Sequence, residues 1–201
     1  VGSYTYEEYE APSGYVLNDT PFPFEIKSDG QIVKSTLSNS KLSGKAEITK
    51  TDITTSEPLP NATITIKKEN GTIVAEKTTG EDGKVVFSNL PPGKYIYCET
   101  VAPSGYVINN VEGKFEISAN GQIFKATIED EKIKGNLELT KVNVENGNPL
   151  AGAKFEILAS DRTTVVASGV TDTSGKVTIN NLEYGSYYYR ETEAPKGFVL
   201  D

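Results

Sequence analysis

The sequence predicts an all-β fold built from tandem β-sandwich domains. Short segments alternate between apolar and polar residues with a period of two, turn residues separate them, and no stretch keeps a helical period. The 201 residues include 18 glycines and 10 prolines, which suits frequent turns. Thr, Tyr, Val and Ile, the residue types that strands favour, fill the alternating segments.

An internal repeat divides the chain. Residues 1–43 match residues 92–134 at one constant offset, and the residues after 43 match those after 134. Such self-similarity indicates consecutive copies of one domain. The expected units are the C-terminal part of a first repeat at 1–42, a complete repeat at 43–134, and the N-terminal part of a third at 135–201, which lacks its last strands. The junctions are short, so we expect neighbouring repeats to stack.

The complete repeat contains about seven short alternating segments, as a β-sandwich requires. Asn70-Gly71 is a strong hairpin signal, and Ala119-Asn120-Gly121 predicts a second hairpin. The predicted strands are Lys45–Thr51, Ala62–Lys68, Thr72–Lys77, Val85–Ser88, a tyrosine-rich strand from Tyr95, Val111–Ser118 and Gln122–Glu129.

Three charged residues continue rows that point to the interior. In the opening strand Ala46 and Ile48 form the apolar row, and Lys50 extends it. In the tyrosine-rich strand Glu99 extends the row of tyrosines, and in the closing strand Asp130 extends the apolar row. The alternation therefore predicts a lysine, a glutamate and an aspartate inside one domain.

Two interpretations of this trio follow from the residues. The first is a buried ion-pair network, which often loses more in desolvation than it regains. The second is a reaction: burial lowers the pKa of an amine and raises that of a carboxyl, so the amine becomes a nucleophile and the acid an electrophile. Lys50 and Asp130 would then form an amide, with Glu99 hydrogen-bonding the attacked carbonyl and moving protons.

The partial repeats hold the same positions without their full set of partners. Glu8 and Asn39 in the first repeat lack a lysine, and Lys141 and Glu191 in the third lack an acceptor, so neither bond can close within this chain. An alternative is that the third repeat accepts the Asn39 strand of another copy and forms a head-to-tail polymer. Residues 1–15 duplicate residues 184–198, however, so two equivalent strands would then compete for one position.

The amino-acid composition argues against several other classes of function. The net charge of −8 disfavours a nucleic-acid partner, and no apolar run reaches bilayer length, so we expect no membrane insertion of this segment. Histidine is absent, and neither a metal nor a cofactor is expected. Cys98 is the only cysteine and is expected on the outward face of its strand. We expect no enzyme acting on external substrates, and we expect the chain to be an interior piece of a longer protein.

Several short motifs recur in a fixed order. They are Leu139-Thr140-Lys141 with Ile48-Thr49-Lys50, Gly152-Ala153-Lys154-Phe155, Leu90-Pro91-Pro92-Gly93-Lys94-Tyr95 and Tyr97-Cys98-Glu99-Thr100-Val101-Ala102-Pro103-Ser104-Gly105-Tyr106. Their combination resembles the Cna B-type (SpaA-like, prealbumin-like) domains of Gram-positive pilins and surface adhesins. The resemblance implies Ig-like, prealbumin-like sandwiches with Greek-key type topology. It also implies an isopeptide bond between Lys50 and Asp130 with Glu99 as the catalytic residue, although this family more often has Asn at the aspartate's place.

The same resemblance implies a function and a location. We expect a structural stalk or shaft repeat of an adhesin or pilus, outside the cell and attached to the wall of a Gram-positive bacterium. Its partners would be adjacent repeats of the same polypeptide, with a host surface or matrix protein bound through other domains. The alternative is a module that itself binds a host matrix protein or glycan.

Overall fold

The computed structural model describes residues 1–200, which form 15 strands and no helix, so the predicted all-β class is confirmed. The strands are β1 (Gly2–Tyr6), β2 (Phe22–Ile26), β3 (Gly44–Asp52), β4 (Thr63–Lys68), β5 (Ile73–Thr78), β6 (Lys84–Leu90), β7 (Gly93–Val101), β8 (Tyr106–Val107), β9 (Gly113–Ile117), β10 (Ile123–Lys132), β11 (Lys134–Thr140), β12 (Lys154–Leu158), β13 (Val165–Val170), β14 (Lys176–Glu183) and β15 (Tyr188–Glu193). No helix in this part of the chain could cross a membrane.

The described residues form two compact units. The first contains Val1–Pro103 and Ile108–Asp130, and the second contains Ser104–Val107 and the described residues from Glu131 onward. In the second unit β8 pairs with the last two residues of β10.

The complete repeat is a sandwich of two sheets. One sheet has the strand order β6-β3-β10-β8, and the other has the order β5-β4-β7-β9. The side chains between the sheets form one apolar core, to which both faces contribute through their alternating rows. The opening and closing strands, β3 and β10, are neighbours and run parallel, with Lys50 opposite Ile128 in the register.

The two predicted hairpins have different outcomes. Asn70-Gly71 joins the antiparallel strands β4 and β5, as predicted, and Gly71 takes a positive φ of 86°. The hairpin predicted at Ala119-Asn120-Gly121 is wrong, because the strands on either side enter different sheets: β9 pairs with β7, and β10 pairs with β3. The turn at these residues does form, but it connects a strand of one sheet to a strand of the other.

The first repeat is a two-stranded sheet of β1 and β2 with stacked aromatic pairs such as Tyr6 and Phe22. Residues 31–39, which match the closing strand β10, form no strand, and Leu37 is 37% exposed rather than inward. In the complete repeat this segment is held by the ladder to β3, and the described part of the first repeat offers no such partner. An extended segment without a ladder leaves its backbone groups to water.

The third repeat is built from two small sheets, β11-β14 and β13-β12-β15. Its core lies between them and includes Phe155, Ile157, Val177 and Ile179. Within the described residues β11 pairs with β14 on one side only, whereas its counterpart β3 pairs on both sides.

A tight turn fixes the end of β3, and its glycine gives a testable prediction. Gly83 has a φ of 67°, and a Cβ there would lie 2.5 Å from the Lys50 carbonyl oxygen. We expect Gly83→Ala to lower the free energy of unfolding by about 2 kcal/mol or more, because strain and a backbone clash add. Gly121→Ala is the matched control: its φ is 72° with nothing within 4 Å of the added Cβ, so it should cost about 1 kcal/mol. Urea titrations with equal midpoints for the two variants would contradict the prediction.

Candidate functional site

The trio predicted from strand phase lies in the interior of the complete repeat. Lys50 is 0% exposed, Asp130 1% and Glu99 5%. Lys50 is on β3, Asp130 on the neighbouring β10, and Glu99 on β7 of the opposite sheet. The sandwich therefore brings an amine and two carboxyls from three strands together in its buried interior.

The lysine contacts both acids. Its Nζ donates a hydrogen bond to Asp130 Oδ1 and lies 3.3 Å from Glu99 Oε1. Glu99 Oε2 accepts a hydrogen bond of 2.8 Å from the backbone N–H of Asn109. The remaining oxygens, Glu99 Oε1 and Asp130 Oδ2, are buried and accept no hydrogen bond from the described residues.

The balance of charge favours a proton on this cluster. Burial raises the pKa of Glu99, the backbone N–H of Asn109 and the Lys50 charge act against the rise, and the neighbouring Asp130 carboxylate adds to it. One amine against two carboxylates would leave a net negative charge in the core. A proton held by the acids would cancel that charge and supply the donor that the two unpartnered oxygens lack.

The arrangement suits condensation of the amine with a carboxyl. A neutral amine is a nucleophile, and a protonated carboxyl next to it is an acceptor whose hydroxyl can leave as water. Since both groups are fixed on adjacent strands, such a reaction would have the high effective concentration of an intramolecular step. Glu99 Oε1 lies 3.3 Å from the Lys50 nitrogen, where a general acid or base of such a reaction would act.

Sequence reasoning missed two residues of this region. Asp52 is the next inward position after Lys50 and is 2% exposed; its Oδ1 accepts hydrogen bonds from Thr54 N at 2.7 Å and Thr55 N at 3.0 Å, which fixes the turn after β3. Continuing the alternation by one step would have found it. Asn109 holds Glu99 through its backbone, and its Nδ2 donates to the carbonyl of Glu129 at 2.9 Å, directly before Asp130.

Comparison of the repeats could have identified Asn109, because an asparagine occupies the same place in the first repeat. In the first repeat Asn18 occupies the corresponding place, and its backbone N–H donates to Glu8 Oε2 at 2.8 Å. Asn39 Nδ2 donates to the same Glu8 oxygen and to the Val16 carbonyl at 2.9 Å. The structure thus brings Glu8 and Asn39 together, and the described residues of this repeat provide no lysine beside them.

The third repeat has the amine and the glutamate. Lys141 Nζ lies 2.9 Å from Glu191 Oε2. The Lys141 side chain is 20% exposed, whereas that of Lys50 is fully buried. No aspartate or asparagine side chain from the described residues donates to or accepts from this pair.

Cys98 was predicted on the outward face of its strand, and it lies outside the core cluster in which Tyr95 and Tyr97 of the same strand pack. It is nevertheless only 9% exposed, and Thr65 of the neighbouring strand β4 lies directly opposite. Burial raises the pKa of the thiol; the nearby Lys67 charge opposes the rise and Glu112 adds to it.

We therefore expect Cys98 to react with a maleimide at least about tenfold more slowly in the native chain than in denaturant, since the thiolate is the nucleophile and access is restricted. Labelling followed by mass spectrometry measures both rates. The denatured chain is the control, and equal rates in the two states would contradict the burial.

The comparisons with known proteins agree with the fold. The sequence model of the SpaA family, described as a prealbumin-like fold domain, matches residues 1–41, 44–132 and 135–201. The chain belongs to this family.

Three relatives illustrate the range of similarity. Colossin-A of Dictyostelium discoideum is 25% identical over 214 residues, which covers 89% of this chain and 2% of that protein. Serine-aspartate repeat-containing protein D of Staphylococcus aureus strain Newman is 29% identical over 164 residues, 72% of this chain and 12% of that protein. The solved structure of the Bacillus anthracis TIE protein has a TM-score of 0.85 and 42% identity, and covers 100% of this chain and 38% of the other. The chain thus spans less than two fifths of each of these relatives.

Proposed function

We propose that the chain is a structural shaft segment of a larger surface protein, adhesin or pilus of a Gram-positive bacterium, and that its complete repeat forms its own amide bond between Lys50 and Asp130. The observation that carries this proposal is the fully buried contact between Lys50 Nζ and Asp130 beside Glu99. The resemblance of the motifs to Cna B-type domains supports the location at the cell surface.

The proposed reaction is a single-turnover condensation. The neutral Lys50 amine attacks Cγ of Asp130, and a C–N bond forms as the carbonyl oxygen gains charge. Glu99 in its protonated form donates a hydrogen bond to that oxygen and then relays the proton from the amine to the departing hydroxyl. A C–O bond breaks and one water leaves, so the product is a neutral amide that no longer needs buried charges.

The strand arrangement explains what such a bond does for a shaft. The opening strand β3 and the closing strand β10 are parallel neighbours, so a pull on the two ends of the repeat shears them past each other. An amide from Lys50 to Asp130 would transmit the force directly between these two strands. The residues between Lys50 and Asp130, which are 80 positions apart, would then not be extended by the pull. Like a disulfide, it also reduces the entropy of the unfolded chain, and reductants do not cleave it.

The intact mass of the chain tests the proposal. We expect the mass calculated from the sequence less one water, and a proteolytic digest should contain a branched peptide that joins Lys50 to Asp130. Lys50→Arg is the matched control, because it keeps a long cation at the position and should restore the full calculated mass. A wild-type mass equal to the calculated value, with both residues in linear peptides, would overturn the proposal.

A further inference from the structure

Asn109 connects separate parts of the complete repeat. It is half-buried in the loop between β8 and β9. Its backbone N–H donates to Glu99 Oε2 at 2.8 Å, and its side-chain Nδ2 donates to the Glu129 carbonyl at 2.9 Å. Its Oδ1 accepts from the Val111 N–H at 2.9 Å. One residue therefore links the buried glutamate of β7 to the backbone of β10 directly before Asp130.

The partners of the Asn109 amide fix its orientation. The Val111 N–H can only donate, so it must face Oδ1, and the Glu129 carbonyl can only accept, so it must face Nδ2. A flipped amide would put donor against donor and acceptor against acceptor. The two side-chain bonds together therefore hold the peptide whose N–H contacts Glu99.

The bond to Glu129 depends on the closing strand. Asp130 uses its own carbonyl to accept from the N–H of Ile53, directly after β3, at 3.0 Å. The carbonyl one residue earlier accepts from Asn109. Since Glu129 occupies this place as part of the ladder between β10 and β3, the Asn109 amide is fixed only when that ladder has formed.

The same loop arrangement occurs in the first repeat. Glu8 and Asn18 are ten positions apart, as Glu99 and Asn109 are, and the Asn18 N–H donates to Glu8 Oε2 at 2.8 Å. Asn18 Oδ1 also accepts from the N–H two residues later, at 3.3 Å. A turn formed by an asparagine side chain explains the second contact alone. It does not explain the N–H on the glutamate or the bond to the closing strand.

We propose that Asn109 is a positioning residue that couples Glu99 to the docking of β10. This inference rests on the proposed function, because it concerns the same amide formation, and it adds an order of events. The closing strand pairs first and fixes the Asn109 loop, and the loop then holds Glu99 against Lys50. Without the docked strand the loop N–H no longer orients the carboxyl, so the bond forms only in a completed sandwich.

The rate of amide formation tests this coupling. Unreacted chain from cell-free synthesis is collected in denaturant and refolded, and mass spectrometry follows the loss of one water against time. We expect Asn109→Ala to slow the reaction by about tenfold to 100-fold, since a small displacement of a catalytic group costs this much. Asn110→Ala is the matched control, because Asn110 is the exposed neighbour of the same type and should leave the rate unchanged.

A second variant separates the turn from the bond to the closing strand. In Asn109→Ser the hydroxyl can still accept from the Val111 N–H, but the side chain is too short to reach the Glu129 carbonyl. We expect it to react as slowly as Asn109→Ala. Circular dichroism of each refolded variant shows that the strand content is retained.

The pH profile provides a readout that a purely structural role would not change. Burial raises the pKa of Glu99, and the Asn109 N–H opposes the rise, while Lys50 of β3 and Asp130 of β10 are the charged groups that face the carboxyl. A loosened loop weakens the opposing bond, so the pKa rises further. In both slow variants the decline of the rate with increasing pH should therefore move to higher pH.

The outcomes distinguish this inference from the proposed function. If the wild type loses one water and either Asn109 variant reacts at the wild-type rate, the inference fails and the proposed function stands. Slow variants whose pH profile is unchanged would also overturn it, because Asn109 would then act only on folding. A wild-type chain that never loses water would overturn both.

Discussion

Replacing Lys50 with methionine is expected to lower the free energy of unfolding of the complete repeat by more than about 5 kcal/mol at neutral pH. Two losses combine. Without the Lys50 amine, Asp130 remains a free carboxyl beside Glu99 in the core with no cation near either, which costs about 3–5 kcal/mol. The variant also cannot form the proposed crosslink across 80 positions, which would contribute about 4.5 kcal/mol through the entropy of the unfolded chain.

Urea titration of the wild type and the variant measures this loss. Lys125→Met is the matched control, since its side chain is 74% exposed and lies 3.5 Å from Glu47. An exposed pair of this kind contributes less than about 1 kcal/mol. The interpretation is contradicted if the two variants shift the midpoint by similar amounts.

The pH dependence of the Lys50→Met variant separates the two losses. Burial raises the folded-state pKa of Glu99 above its ordinary value of 4.5, and the variant removes the Lys50 charge that opposes the rise. The stability that Glu99 contributes is therefore present below about pH 4.5 and is lost as the pH rises through its folded pKa. We expect the variant to be more stable at pH 4 than at pH 7, while the part due to the missing crosslink persists at both. A midpoint that rises from pH 4 to pH 7 would rule out buried, uncompensated acids.

The period-two rows explain why the site was predictable from the sequence. Side chains alternate strictly in a strand, so the apolar residues Ala46 and Ile48 determine where Lys50 points, and the same logic applies to Asp130 on β10. The structure shows all nine residues of β3 alternating in burial from Gly44 to Asp52. Local alternation therefore suffices to place a charged residue inside a sandwich.

The errors arise where partners distant in sequence decide the outcome. The residues around Asn120 are typical of a hairpin turn. The strands on either side nevertheless pair with strands distant in sequence: β9 with β7, and β10 with β3. The predicted outward position of Cys98 did not reveal that the residue is only 9% exposed, because this depends on neighbouring strands such as β4, where Thr65 lies directly opposite. Residues 31–39 repeat a strand sequence and stay irregular without the ladder that holds β10. The alternation of apolar and polar residues predicts which side chains of a strand face the core. Whether the strand forms, and which residues cover it, depends on the strands that pair with it.

Replacing Glu99 with glutamine should reduce the rate of amide formation in the complete repeat by about 100-fold to 10,000-fold, the contribution expected of a general acid and base. Glutamine has nearly the same shape and can still accept the hydrogen bond from the Asn109 N–H, so the packing around Lys50 and Asp130 should persist. What it cannot do is take up the amine proton and pass it to the departing hydroxyl. The fraction of chain that has lost one water, followed by mass spectrometry against time, measures the rate.

Glu112→Gln is the control for this variant, because Glu112 pairs with Lys67 and is 47% exposed. It should leave the rate unchanged. Since burial raises the pKa of Glu99, the wild-type rate should fall as the pH rises through that pKa, and the Glu99→Gln variant should lose this dependence. If Glu99→Gln reacts as fast as the wild type and keeps its pH profile, proximity of Lys50 and Asp130 alone drives the bond, and Glu99 contributes only to the electrostatics of the folded core.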